Sequence, residues 1–113
     1  MTAYHLYILR CSDGSLYTGI TVDVERRLQQ HESGKGGARY LRGRAPFELV
    51  FNALAGDRSL ASRLEARVKR LRRHDKEQLI AGRLPLGSLL DENQVSASSE
   101  GGKTTIGSLN SGR

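Results

Sequence analysis

Five side chains stand out for what they could do together: Tyr7, Tyr17, Arg27, His31 and Glu65. Two phenols, a guanidinium, an imidazole and a carboxylate can hold an anion and move protons beside it. Hydrolysis of a phosphodiester would use all of them, because it needs an activated water, a group on the phosphate and stabilisation of the charge that develops. The charge balance favours the same kind of ligand. Eighteen Lys and Arg stand against 12 Asp and Glu, a formal charge of +6. Residues 92–113 hold two acids (Glu92, Glu100) and two bases (Lys103, Arg113), so the whole excess lies in residues 1–91. Such an excess favours a polyanionic partner, nucleic acid first and an acidic membrane surface second. Taken singly the residues are ordinary: Glu65 and Lys69 form a common i,i+4 helical pair, and two tyrosines on neighbouring strands are common cross-strand aromatics. Their positions decide.

Tyr4 to Cys11 and Ser15 to Thr21 are short apolar and aromatic runs around Ser12-Asp13-Gly14, a hairpin signature. If Gly14 is left-handed and closes a three-residue loop, Cys11 opposes Ser15, Leu9 opposes Tyr17 and Tyr7 opposes Gly19. Tyr7 and Tyr17 then share a face, with open space beside Tyr7 at Gly19, and Leu6, Ile8, Leu16 and Ile20 take the other. A two-residue loop would put the tyrosines on opposite faces. Asp23 is the expected N-cap of a helix from Val24 to Glu32 that ends at Ser33-Gly34. On it Val24 and Leu28 mark the buried stripe, Arg27 and His31 flank that stripe at i and i+4, and Arg26 points away. A basic loop follows from Gly34 to Pro46, then a strand over Phe47 to Ala55 stopped by Gly56-Asp57. A second helix is predicted over Ser59 to Arg73 with the stripe Leu60, Leu64, Val68 and Leu71, which leaves Glu65 among Arg58, Lys69, Arg72 and Lys76. A short helix is expected at Lys76 to Ala81 and a weak apolar cluster at Leu84 to Leu90. The order β-β-α-β-α-α predicts an α+β fold, a three-stranded antiparallel sheet flanked by helices, with both of the first two helices on the tyrosine face.

Composition excludes several classes. The chain of 113 residues has room for one modest core, expected over residues 1–91, and its Ser- and Gly-rich residues 92–113 read as a disordered tail. No apolar run approaches the ~20 residues that cross a bilayer, and the first residues lack the build of a signal peptide, so a cytoplasmic protein with no membrane partner is expected. The single cysteine, Cys11, makes no internal disulfide, has no zinc-ligand neighbours and predicts no disulfide-linked partner.

In this order the chain resembles the GIY-YIG nuclease family. The resemblance rests on His5-Leu6-Tyr7 at the first tripeptide, Tyr17-Thr18-Gly19 ten residues later at the second, Arg26-Arg27-Leu28-Gln29-Gln30-His31 on the first helix, and the lone helical Glu65. It covers about residues 4–82, and within the family the small single-domain bacterial proteins described as endonucleases are the most similar, with segments like those at 16–21 and 34–36. Only Tyr7 is kept of the first tripeptide, and Thr18 stands for the middle isoleucine of the second. The resemblance implies a metal-dependent endonuclease that nicks branched or damaged DNA in repair or recombination, with RNA left open. Glu65 would hold one Mg²⁺ or Mn²⁺ through carboxylate oxygen and water. Arg27 would clamp the scissile phosphate, Tyr17 would hydrogen-bond it, Tyr7 would be the general base or relay, and His31 would accept the proton from Tyr7. For grip along the strand, Lys35, Arg39, Arg42, Arg44, Lys69 and Arg72 are candidates for phosphates and Tyr40 for stacking on a base. A monomer is expected. The alternative is a non-catalytic nucleic-acid-binding module on the same fold.

Overall fold

The computed structural model describes residues 2–34, 36 and 38–90. Lys35 and the segment 92–113 lie outside the described residues. The chain divides into two compact units, Met1–Arg70 and Leu71–Arg113. In the first, strands β1 (Tyr4–Arg10) and β2 (Leu16–Thr21) lead into helix α1 (Val24–Ser33), a 3₁₀ turn (Arg39–Leu41), strand β3 (Glu48–Gly56) and helix α2 (Arg58–Arg70). The second contains helix α3 (Arg73–Ile80) and a 3₁₀ turn (Leu86–Leu90) in which Leu79 and Leu89 are buried.

The hairpin closes through Gly14. Its φ of 85° is one that residues with a Cβ avoid, and the loop is pinned by Gly14 N–H to Cys11 O and Cys11 N–H to Ser15 O, both 2.9 Å. The register is therefore the three-residue one: Leu9 opposes Tyr17 and Tyr7 opposes Gly19. β3 adds antiparallel to the other edge of β1, giving the order β2-β1-β3 and the α+β fold with a three-stranded antiparallel sheet.

Because side chains alternate along a strand, β1 sends Tyr7 and Leu9 to one face and Leu6 and Ile8 to the other, and all four are at most 1% exposed. Tyr7, Leu9 and Cys11 pack with Leu41, and Val24 and Leu28 of α1 and Phe47 close over them. α2 contacts all three strands and buries Ala61, Leu64 and Val68, none of which joins the Tyr7 cluster. Burying one such aliphatic side chain stabilises by about 1.5–3 kcal/mol, so each helix is fastened by its own stripe. The two helices thus cover opposite faces of the sheet, which differs from the expectation of both on the tyrosine face.

The second helix also differs. Asp57 caps α2, accepting the Leu60 N–H at 2.8 Å, but the helix stops at Arg70 instead of running to Arg73, and α3 starts at Arg73 instead of Lys76. Arg72, extended at φ −67° and ψ 160°, breaks it. Lys69 to Arg73 are all strong helix formers, so no composition signal marks the break. Leu71, Arg72 and Lys76 leave the α2 wheel, and Arg58 and Lys69 are the members of the expected cationic ring that share a helix with Glu65.

Candidate active site

Tyr7 sits mid-strand on β1 and is 1% exposed. Its ring lies over Gly19, where a Cβ would come within 2.6 Å of the hydroxyl oxygen; glycine is what lets the phenol lie flat on β2. Tyr17, on the same face of β2, has its ring centroid 6.3 Å from that of Tyr7. His31, in the last turn of α1, is buried and completes a triangle, 6.1 Å from Tyr7 and 5.7 Å, edge-on, from Tyr17. Its Nε2 is 2.9 Å from the Tyr7 hydroxyl.

The direction of that hydrogen bond follows from the other ring nitrogen. Nδ1 faces the Ala38 backbone N–H at 3.2 Å. A backbone N–H only donates, so Nδ1 is the acceptor and the neutral ring carries its proton on Nε2. His31 Nε2–H therefore donates to the Tyr7 oxygen. The expected role of His31 as acceptor of the Tyr7 proton is reversed in this geometry: the imidazole holds the phenol oxygen, leaves its O–H turned elsewhere, and steadies a phenolate when one forms.

Electrostatics agree. Burial, with Tyr17 beside it, pushes the Tyr7 hydroxyl up to about 12, and the nearby Arg27 guanidinium pulls the other way. Burial, then the charge of Arg27, lowers the His31 pKa from its ordinary 6.5. Protonated His31 would also turn an N–H against the Ala38 N–H. A histidine kept neutral in the fold binds fewer protons than in the unfolded chain, so its contribution to stability is intact above about pH 6.5 and declines as pH falls from there to its depressed folded value. We expect the melting temperature to drop over this interval, and to drop less in His31→Gln; scanning calorimetry from pH 7 to pH 4 tests it, and equal declines in both proteins would contradict it.

Arg27 lies one turn before His31, and its Nη1 donates to Gln30 Oε1 at 2.9 Å and to the Gly36 carbonyl at 2.7 Å. Both Nη1 hydrogens are thereby occupied, and the Nε–Nη2 edge is the one left for a phosphate in fork geometry. Gln30 was not singled out in the sequence, although its i,i+3 spacing from Arg27 is a usable signal. The Ala38 amide and the Gly36 carbonyl, being backbone, leave no such trace.

Tyr40 stacks on Tyr17 with centroids 6.0 Å apart and planes tilted by 27°, while remaining 46% exposed. Arg44 holds it there. The guanidinium carbon is 4.2 Å from the Tyr40 ring centroid, Nε donates to the Tyr40 carbonyl at 2.8 Å, and Nη1 pairs with Asp13 in the hairpin loop. The Ser15 hydroxyl and N–H, with Arg44 a smaller influence, keep the Asp13 carboxyl below the usual carboxylate range. Arg44 thus ties the basic loop to the hairpin. Arg39 and Arg42 on that loop are exposed.

Tyr7, Tyr17, Arg27 and His31 converge. Glu65 is half-buried on α2, its Oε2 3.2 Å from Lys69 Nζ, and no hydrogen bond or ion pair among the described residues links it to the four. Arg72 belongs to the second unit, before α3. Among the described residues no group of three or more His, Cys, Asp or Glu could cage a metal, and no helix is long and apolar enough to cross a membrane.

Residues 3–78 match the GIY-YIG catalytic domain. The chain is 54% identical over 95 residues to the UPF0213 protein YhbQ of Escherichia coli K12, covering 84% of this chain and 94% of that one. Among solved structures it is similar to the protein EF2693 of E. faecalis, with 38% identity, a TM-score of 0.53 and coverage of 73% of this chain and 86% of that one. It is also similar to the UPF0213 protein BH0048 of Bacillus halodurans, with 51% identity, a TM-score of 0.47 and coverage of 70% and 83%. With the catalytic-domain match over residues 3–78 and a relative 54% identical over nearly its whole length, the chain belongs to the GIY-YIG family of nucleases.

Proposed function

We propose that the protein is a metal-dependent endonuclease that nicks DNA, with branched or damaged DNA in repair or recombination as its substrate. The observation that carries this reading is the Tyr7 oxygen held by His31 Nε2–H within a cluster that also contains Tyr17 and Arg27. Arg27 receives two phosphate oxygens on its Nε–Nη2 edge and opposes the charge gained in the transition state. Tyr17 donates its hydroxyl to the same phosphate. As a water oxygen bonds to phosphorus, its proton passes to the Tyr7 oxygen, and the bond to the departing sugar oxygen breaks; that oxygen takes a proton from solvent. The Tyr7 oxygen serves as base to the extent that its own proton has left. With a hydroxyl pushed up to about 12, this predicts a rate that keeps rising through the alkaline range.

Glu65 is the residue that would hold a divalent ion. A single half-buried carboxylate suits Mg²⁺ or Mn²⁺, which keep several waters and share a phosphate oxygen, and does not suit an ion that needs an all-protein cage. When bound, such an ion supplies charge neutralisation at the phosphate and the leaving oxygen. Because Lys69 competes for the carboxylate, metal affinity is expected to be weak without DNA and to rise on adding it, measurable by Mn²⁺ relaxation enhancement.

The deciding experiment is cleavage of end-labelled duplex, single-stranded, flapped and branched DNA in Mg²⁺, Mn²⁺ or EDTA, by the wild type beside Glu65→Ala and Tyr17→Phe. Nicking in metal by the wild type, lost in both variants while binding persists, is the expected result. Equal binding by all three with no cutting would make the protein the non-catalytic binding module, a reading that the Glu65–Lys69 pair favours.

A further inference from the structure

A groove of about 350 Å³ lies between α1, the start of β1 and the end of β2, lined among others by Tyr4, Thr21, Val22, Arg26, Arg27 and Gln30. Its composition is that of a nucleotide site. Tyr4 and Val22 give it an aromatic and apolar wall, Val22 being 47% exposed. Arg26, which the helix turns away from the sheet, is exposed and its guanidinium has no hydrogen bond or ion pair among the described residues. Asp23 also borders the groove, but its Oδ1 is taken by the Arg26 backbone N–H at 3.1 Å as the N-cap, so two guanidinium groups face one carboxylate that is already engaged. The volume is at the lower end of ligand pockets, ~300–1,000 Å³: enough for one nucleotide and too little for a base pair.

Arg27 connects the groove to the site already described. Its side chain lines the groove, and its Nη1 is fixed by Gln30, another lining residue. Arg26 and Tyr4 line the same groove as Arg27. We propose that this groove binds the nucleotide flanking the scissile phosphate in unpaired form, with Arg26 on its phosphate and the Tyr4 ring against its base. The inference rests on the nuclease reading and narrows it: the substrate is single-stranded at that position, as at a flap, a gap or a branch point. Stacking on an aromatic side chain and a backbone phosphate contact are the two means by which proteins grip unpaired strands without reading sequence.

Two measurements on the full chain test this. The first is amide chemical-shift mapping with the trinucleotide dTdTdT in low salt without metal. The amides of Val22, Asp23 and Arg26 are expected to move; shifts confined to Tyr17 and the 38–44 loop would overturn the proposal. The second is kinetics on a flap substrate and its fully paired counterpart with Arg26→Gln and Tyr4→Leu. Each variant is expected to raise KM on the flap about tenfold with kcat little changed, and Arg26→Gln to reduce the salt slope of binding by about one. Arg26 is exposed, so that variant stays informative if Tyr4→Leu is poorly folded. Wild-type cutting with an unchanged KM in Arg26→Gln would remove the groove and leave the nuclease reading intact. Trinucleotide shifts at the groove with no cutting of any DNA would do the reverse.

Discussion

Replacing Arg27 with lysine should lower the nicking rate by about a hundredfold to a thousandfold, the usual loss when a charge-stabilising donor is removed from a transition state. Lysine keeps the charge, so a smaller loss would mean that charge alone is needed. The structure argues for more than charge. Nη1 serves Gln30 and Gly36, and only a planar fork can make those two bonds while offering a second edge to the phosphate. An ammonium at the same place must choose between them. The loss should appear in kcat as well as kcat/KM, because the contact tightens as charge develops. Single-turnover cleavage of the substrate nicked by the wild type measures it, and an Arg27→Lys rate within threefold of wild type would show that the fork is not used.

Gly19→Ala should be as damaging, by a different route. The new Cβ would lie 2.6 Å from the Tyr7 oxygen and 2.7 Å from its ring carbon Cζ, and the ring cannot retreat because it is 1% exposed and its oxygen is held by His31. Overpacking of this kind costs about 1–3 kcal/mol, and the displaced phenol loses its partner. We expect nicking to fall to the level of Tyr7→Phe, with a lower urea midpoint. Shortening the clashing ring in Tyr7→Leu should recover most of the stability lost to Gly19→Ala while leaving activity absent. A midpoint equally depressed in both backgrounds would trace the cost to the strand backbone instead.

What could be read from the sequence follows local rules. Gly14 at the turn carried the register, and the register carried the pairing of Tyr7 with Gly19 and the shared face of the tyrosines. Asp23 and Gly34 marked the ends of α1, and with them the placement of Arg27 and His31. The misses depend on tertiary contacts. Arg44 and Tyr40 read as loose members of a basic loop, yet Arg44 meets an aspartate 31 positions away and sets Tyr40 against Tyr17. The break at Arg72 occurs among residues that all favour helix, so propensity does not mark where α2 ends. The sense of the His31–Tyr7 bond was hidden for the plainest reason: it is decided by the Ala38 amide, and a backbone group has no letter in a sequence.

That amide gives the protein a built-in spectroscopic probe. The Ala38 proton ends on the imidazole, the imidazole ends on the phenol, and the three respond as one unit. In a nitrogen–proton correlation spectrum the Ala38 cross-peak should follow the protonation of His31 in the acid range and the ionisation of Tyr7 in the alkaline range, and should move again when a phosphate docks beside the phenol. One resonance from the connecting loop would thus trace both titrations and substrate arrival, with no label placed on the reacting groups.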